Sequence, residues 1–181
     1  MSTFVTRLLI SIFELTTSVV IAVFVIFVTY RIFIRANTDF DEEEEIKKGN
    51  VAVGILLSAI MVASAMIIQK GLYPVMSMIR IYLTSPVSQT LSQWQLPVFA
   101  LAHFVMVFGL AVGTISFSLR LYGKLTRNVQ EGKELKKGNP AVGLVLGAVV
   151  IIVAMYVGDG IGSLAKALVP QPSIGRIQVF K

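Results

Sequence analysis

The chain has 181 residues and a mass of 19.7 kDa, with 55% hydrophobic and 14% charged residues and a mean hydropathy of +0.80. Soluble domains carry about 25% charged residues, so this chain has too few to cover a globular surface and is expected to be an integral membrane protein. It has no cysteine and one histidine, which excludes disulfides, thiolate chemistry and multi-histidine metal centres; no cofactor and no metal are expected. The net charge of +6 has no aromatic platform beside it. It reads as membrane orientation and not as nucleic-acid binding.

A membrane-spanning helix needs about 20 mostly apolar residues, and four stretches qualify. The first runs from about Leu8 to Ile34, broken only by Glu14 and Arg31. It is too long for a cleaved signal peptide and ends in arginine where small residues would be cut. The second follows Asn50 and stays uncharged from Val51 to Gln69. The segment from about Leu72 to Gln95 contains Pro74 and Pro86, and its Met76, Met78, Ile79 and Ile81 suggest a helix lying at the outer interface. The third span runs from about Leu96 to Leu119 with His103 inside it, and the fourth from Asn139 to about Val157. The expected division is 1–71, 72–95, 96–165 and an extramembrane tail, 166–181.

The chain repeats at an offset of 89. Glu45-Ile-Lys-Lys-Gly-Asn-Val-Ala-Val-Gly54 matches Glu134-Leu-Lys-Lys-Gly-Asn-Pro-Ala-Val-Gly143 at eight of ten positions. The polar Lys-Lys-Gly-Asn core is not explained by lipid-facing composition. Each copy is a two-helix hairpin, so both enter and leave on the same sides. The fold class is therefore all-α, with four transmembrane helices arranged as two parallel-repeat hairpins.

The repeated motif has a mechanical reading. Lys47, Lys48, Lys136 and Lys137 fall where a helix C-terminus favours cations, and Glu43 and Glu44 precede the first two lysines by four residues. Gly49 and Gly138 allow a left-handed turn after a helix. Asn50 and Asn139 then cap the re-entering helices, with Pro140 at a first helical position. The segments 31–49 and 120–138 hold ten of the sixteen lysines and arginines. The positive-inside rule therefore places both repeat loops in the cytoplasm and both termini outside.

Ionisable residues within spans are functional candidates by default. Glu14 and His103 are equivalent under the repeat, as are Lys70 and Asp159. If each hairpin bends at the middle of its charged loop, Glu14 meets Lys70 and His103 meets Asp159, with acid and base exchanged between copies. These pairs would lie near the outer membrane surface, as structural ion pairs or as parts of an ion pathway. Gly54 and Ser58, Gly109 and Gly113, and Gly143 and Gly147 form small-xxx-small motifs that let helices approach closely. The acidic run Asp39, Asp41, Glu42, Glu43, Glu44 and Glu45 lacks the glycine and ligand order of a calcium loop. It reads as a solvated helix start or as a docking surface for a basic cytoplasmic partner.

The doubled hairpin, with its Lys-Lys-Gly-Asn-x-Ala-x-Gly signature at 47–54 and 136–143, resembles the YjfL-type family of bacterial inner-membrane proteins. The domain of that family has no known function, so the resemblance implies a small multi-pass inner-membrane protein and no catalytic residue. The expected function is a non-enzymatic membrane subunit or scaffold that forms a homo-oligomer in the lipid bilayer and docks a cytoplasmic protein through its charged loops. The alternative is a small proton or cation channel using Glu14 and His103. No nucleophile–base pair marks an enzyme.

Overall fold

A computed structural model describes residues 3–36, 41–84, 94–125 and 131–168. Six helices follow in order: α1 (Thr3–Ala36), α2 (Glu42–Lys47), α3 (Val51–Thr84), α4 (Gln95–Leu125), α5 (Glu131–Lys136) and α6 (Pro140–Leu168). All the described elements are helical, and α1, α3, α4 and α6 are long and apolar enough to cross a membrane. Helices suit such a chain because each satisfies its own backbone polar groups where lipid offers no partner. The helix boundaries repeat with the sequence. Moving α2 by 89 positions gives α5, and Val51 at the start of α3 becomes Pro140 at the start of α6.

The most extensive contact joins α3 to α6. Gly143 lies against the Ala52 backbone, Gly147 against Ala59, Gly158 against Ile67 and Gly162 against the Lys70 backbone. The two series rise together, so α3 and α6 run parallel, as two copies of one hairpin related by an axis along the helices must. Four small residues on one helix let the backbones approach where larger ones would hold them apart. A stripe of Ile67, Ile68, Val107, Ile115 and Val150 forms the buried centre.

α4 packs against both α3 and α6, whereas α1 packs chiefly on α3. The candidate span of α1 is 6% buried, against 50% for that of α3. The Phe24 and Phe104 rings, 5.6 Å apart, connect α1 to α4. The two hairpins are thus equivalent in sequence and unequal in packing.

Residues 72–84 differ from the expectation of a separate helix at the interface. They continue α3 without interruption, with Pro74 inside it, and residues 85–93 of that connector lie outside the described residues. Proline removes one backbone hydrogen bond and crowds the preceding turn, and neighbouring helices can supply donors to the carbonyls affected. Here His103 serves the next carbonyl along, that of Gly71, one residue past the Lys70 carbonyl that Pro74 leaves without its helical donor. Its Nε2 lies 3.3 Å from the Gly71 carbonyl oxygen, an acceptor only, so this nitrogen carries the proton.

Candidate functional site

Both repeat turns close in the same way. Gly49 and Gly138 each adopt φ = 79°, the left-handed region that glycine enters without steric cost. The Gly49 amide donates to the Ile46 carbonyl at 2.9 Å and the Asn50 amide to the Glu45 carbonyl at 3.0 Å. Gly138 and Asn139 repeat both bonds onto Leu135 and Glu134 at the same distances. This double closure satisfies carbonyls that a helix end leaves open. Each asparagine then starts the next helix: Asn50 Oδ1 accepts from the Val53 amide at 3.3 Å, and Asn139 Oδ1 from the Ala141 amide at 3.2 Å.

The glutamate that opens each motif completes the network. Glu45 accepts from Asn50 Nδ2 at 2.9 Å and pairs with Lys48 at 3.2 Å. Glu134 accepts from Asn139 Nδ2 at 3.2 Å and pairs with Lys137 at 2.7 Å. Asn50 also reaches across the repeats, donating to the Leu135 carbonyl at 2.8 Å, and so fastens the first turn to the second. Asn50→Ala and Asn139→Ala should each cost about 1 kcal/mol as lost caps, and Asn50→Ala about 1 kcal/mol more for the inter-repeat bond. Denaturant unfolding in detergent measures the difference. Equal losses would show that the bond between the turns contributes nothing.

The acidic run divides by role. Asp41 caps α2, its side chain accepting from the Glu44 amide at 3.1 Å. Glu43 and Glu44 make exposed pairs with Lys47 at 3.0 Å and Lys48 at 2.9 Å, the i,i+4 pairs that the spacing predicted. Glu42 opens α2, and Asp39 lies outside the described residues. Glu45 does not belong to the docking surface, because it is buried at 7% exposure and its carboxylate is taken by Asn50 and Lys48. The distinguishing signal was in the repeat: of the acids in that run, Glu45 is the one the second copy retains within the matched motif, as Glu134.

The Asn50 amide and then the Lys48 ammonium hold the Glu45 carboxyl below its ordinary range. Lys137 and then Asn139 do the same for Glu134. A depressed folded-state value means that each group adds stability above the ordinary carboxylate range and loses it as pH falls through the folded value. The thermal midpoint should therefore drop on acidification below about pH 5. Glu45→Gln with Glu134→Gln should flatten that dependence, and an unchanged acid limb would remove these carboxylates as its source.

The charge-exchanged pairing expected from the hairpin arithmetic does not form. Glu14 pairs with Arg80, its two carboxylate oxygens accepting from Nε at 2.7 Å and Nη2 at 2.6 Å. Lys70 pairs with Asp159 at 2.7 Å, and His103, 4% exposed, stacks on Phe99 and bonds Gly71. The bend is not at the middle of the charged loop. α1 stops at Ala36 and α3 starts at Val51, with α2 packed on α3 between them. Arg80, the residue that meets Glu14, stands ten positions further along α3 than the partner the arithmetic gave. Lys70 and Asp159, being equivalent under the repeat, meet each other across the axis between α3 and α6.

The small-residue motifs also divide. Gly143 and Gly147 form the α3 contact as expected, whereas a Cβ on Gly54, Gly109 or Gly113 would meet nothing within 4 Å. Ser58 is exposed and returns its hydroxyl to the Gly54 carbonyl at 2.8 Å. The contact glycines that the pattern missed are Gly71, against the Val107 side chain, and Gly158 and Gly162, against α3.

Glu14 and Arg80 stand at one end of a cleft of about 660 Å³ between α1 and α3. Ser18, Gln69, Tyr73 and Ser77 also line it, and further along Ala22, Val25, Ile26, Ile68 and Leu72 make it apolar. Among the described residues no group of three or more histidine or acidic side chains is placed to hold a metal ion. An ion pair beside an apolar slot offers charge and hydrogen bonds at one end and a hydrophobic surface at the other.

No curated protein and no solved structure matches the chain. A family described as Domain of Unknown Function (DUF350) matches it twice, over residues 5–102 and again over 95–171. With two tandem copies of that domain spanning nearly its whole length, the chain belongs to the DUF350 family.

Proposed function

We propose that the protein is a non-enzymatic, multi-pass subunit of the bacterial inner membrane that assembles with further copies and docks a cytoplasmic partner through its paired turns. The observation that carries this reading is the 2.8 Å bond from Asn50 to the Leu135 carbonyl, which makes one platform of two turns. The platform has two unlike edges. Besides the buried Glu45, residues 41–48 contain four acids and two lysines, and residues 131–137 contain two acids and three lysines. Adjacent edges of opposite sign favour one orientation of a partner over others. The excess of lysine and arginine in both repeat loops supports a cytoplasmic location for this end.

The channel reading has less support. The two residues it names lie apart: His103 does not line the cleft that Glu14 lines, and its ring bonds the Gly71 carbonyl instead. Affinity purification from native membranes tests the docking role. A stoichiometric soluble partner should be recovered and lost on combining Glu43→Gln with Glu44→Gln, which leaves the buried Glu45 network intact. Cross-linking in the same membranes should give oligomers, and monomer alone would overturn the assembly. Ion flux in liposomes that vanished with Glu14→Gln would replace this reading with the channel.

A further inference from the structure

We propose that the α1–α3 cleft is a binding site for one phospholipid with a phosphoethanolamine headgroup. Its ammonium would sit on Glu14, its phosphate on Arg80, and one acyl chain along Ala22, Val25 and Ile68. The cleft volume of about 660 Å³ falls within the range of small-molecule sites, about 300–1,000 Å³. Its polarity falls from the ion pair through Ser18, Ser77 and Tyr73 to mostly aliphatic side chains, with Gln69 a polar group at the depth of Ile68.

The dimensions match a lipid. Glu14 lies 21 residues from Arg35 on α1, about 31 Å of helix, so with Arg35 at one surface of the hydrocarbon core the ion pair stands near the other. From Glu14 to Ile26 the helix rises about 18 Å at 1.5 Å per residue, close to half of a hydrocarbon core about 30 Å thick. On α3, Arg80 to Ile68 covers the same rise. The cleft thus has the depth of one leaflet, with charge where a headgroup lies and apolar surface where a chain lies.

The contact between the copies is made on one side of the bundle and not on the other. In α4, Val107 lies directly against Gly71 of α3. Under the repeat these positions correspond to Ser18 and Gly160. A Cβ on Gly160 would meet nothing within 4 Å, and Ser18 is an exposed residue of the cleft lining. α1 therefore lacks with α6 the contact that α4 makes with α3, and it packs chiefly on α3, the side on which the ion pair and the cleft lie.

Charge selects the headgroup. Glu14 and Arg80 present opposite signs side by side. A guanidinium has five N–H donors and a carboxylate about four lone-pair sites, so each can share a ligand with the partners it already has. Phosphate suits the arginine fork, and a primary ammonium brings donors to Glu14. A glycerol headgroup brings no cation to that carboxylate, and a choline headgroup carries methyl groups in place of N–H donors.

The test uses the full-length protein in vesicles of equal phosphatidylethanolamine, phosphatidylcholine and phosphatidylglycerol with identical acyl chains, followed by native mass spectrometry of retained lipid. Phosphatidylethanolamine should exceed phosphatidylglycerol about fivefold, the size of one partly exposed charge contact. Glu14→Gln should bring the two to parity while adducts persist. Ala22→Leu, filling the slot of a protein shown to be folded by circular dichroism, should remove adducts of all three lipids. Equal retention of the headgroups by the unaltered protein would overturn the proposal. So would an ethanolamine preference that survives Glu14→Gln, or adducts that survive the filled cleft.

Discussion

Gly143→Ala is expected to destabilise the bundle by about 3 kcal/mol, the upper range for inserting one carbon into a packed interface. The added Cβ would meet the carbonyl oxygen of Ala52. That oxygen is backbone of a helix that is itself packed, so it cannot rotate aside as a side-chain tip does. α6 would have to move away from α3 along the most extensive contact in the molecule. Gly160→Ala is the matched control. It lies on the same helix with open space around its Cβ, and alanine there gains up to about 1 kcal/mol of helix propensity. Thermal unfolding in detergent should show a lowered midpoint for the first variant and an equal or raised one for the second. Equal behaviour would mean that α3 and α6 do not approach as closely as described.

Arg80→Met should cost about 2 kcal/mol, between the worth of exposed and of buried ion pairs. Glu14 is partly buried, with 24% of its side chain exposed, and would lose both donors to its carboxylate. Glu14→Gln in the same protein should recover part of the loss, because an orphaned carboxylate is costlier than a neutral amide at the mouth of an apolar cleft. Lys70→Met provides the comparison that separates the two pairing schemes. Recovery of Lys70→Met by Asp159→Asn, and not by Glu14→Gln, is the expected outcome. Rescue of Lys70→Met by Glu14→Gln would restore the hairpin arithmetic and reject the observed pairs.

The error in that arithmetic has a definite origin. Helical rise along one chain is fixed by covalent geometry, but relative depth in a hairpin depends on where the chain reverses. A charged loop containing a short helix does not have to reverse at its midpoint. The continuous apolar pattern through Ile79, Ile81 and Tyr82 was the available sign that α3 extends past Pro74 and brings Arg80 level with Glu14. A proline near the end of an apolar run outweighed it. In a membrane-spanning helix, proline need not end the element, because neighbouring groups such as His103 can serve the backbone around it.

The four apolar helices, the duplication at 89 residues, the Gly-Asn turns and the α2 ion pairs were all legible in the residues alone. Each depends on interactions within a few residues or on composition over a whole span, where lipid enforces a helix whatever its neighbours are. Packing between helices set the rest: Glu45 is buried, Lys70 meets its own repeat-equivalent Asp159, and a cleft remains between α1 and α3. Two copies of similar sequence were free to pack unequally because several apolar faces suit lipid as well as they suit another helix. Hydrophobic burial therefore could not choose between them. Close van der Waals approach at Gly71, Gly143, Gly147, Gly158 and Gly162 made the choice.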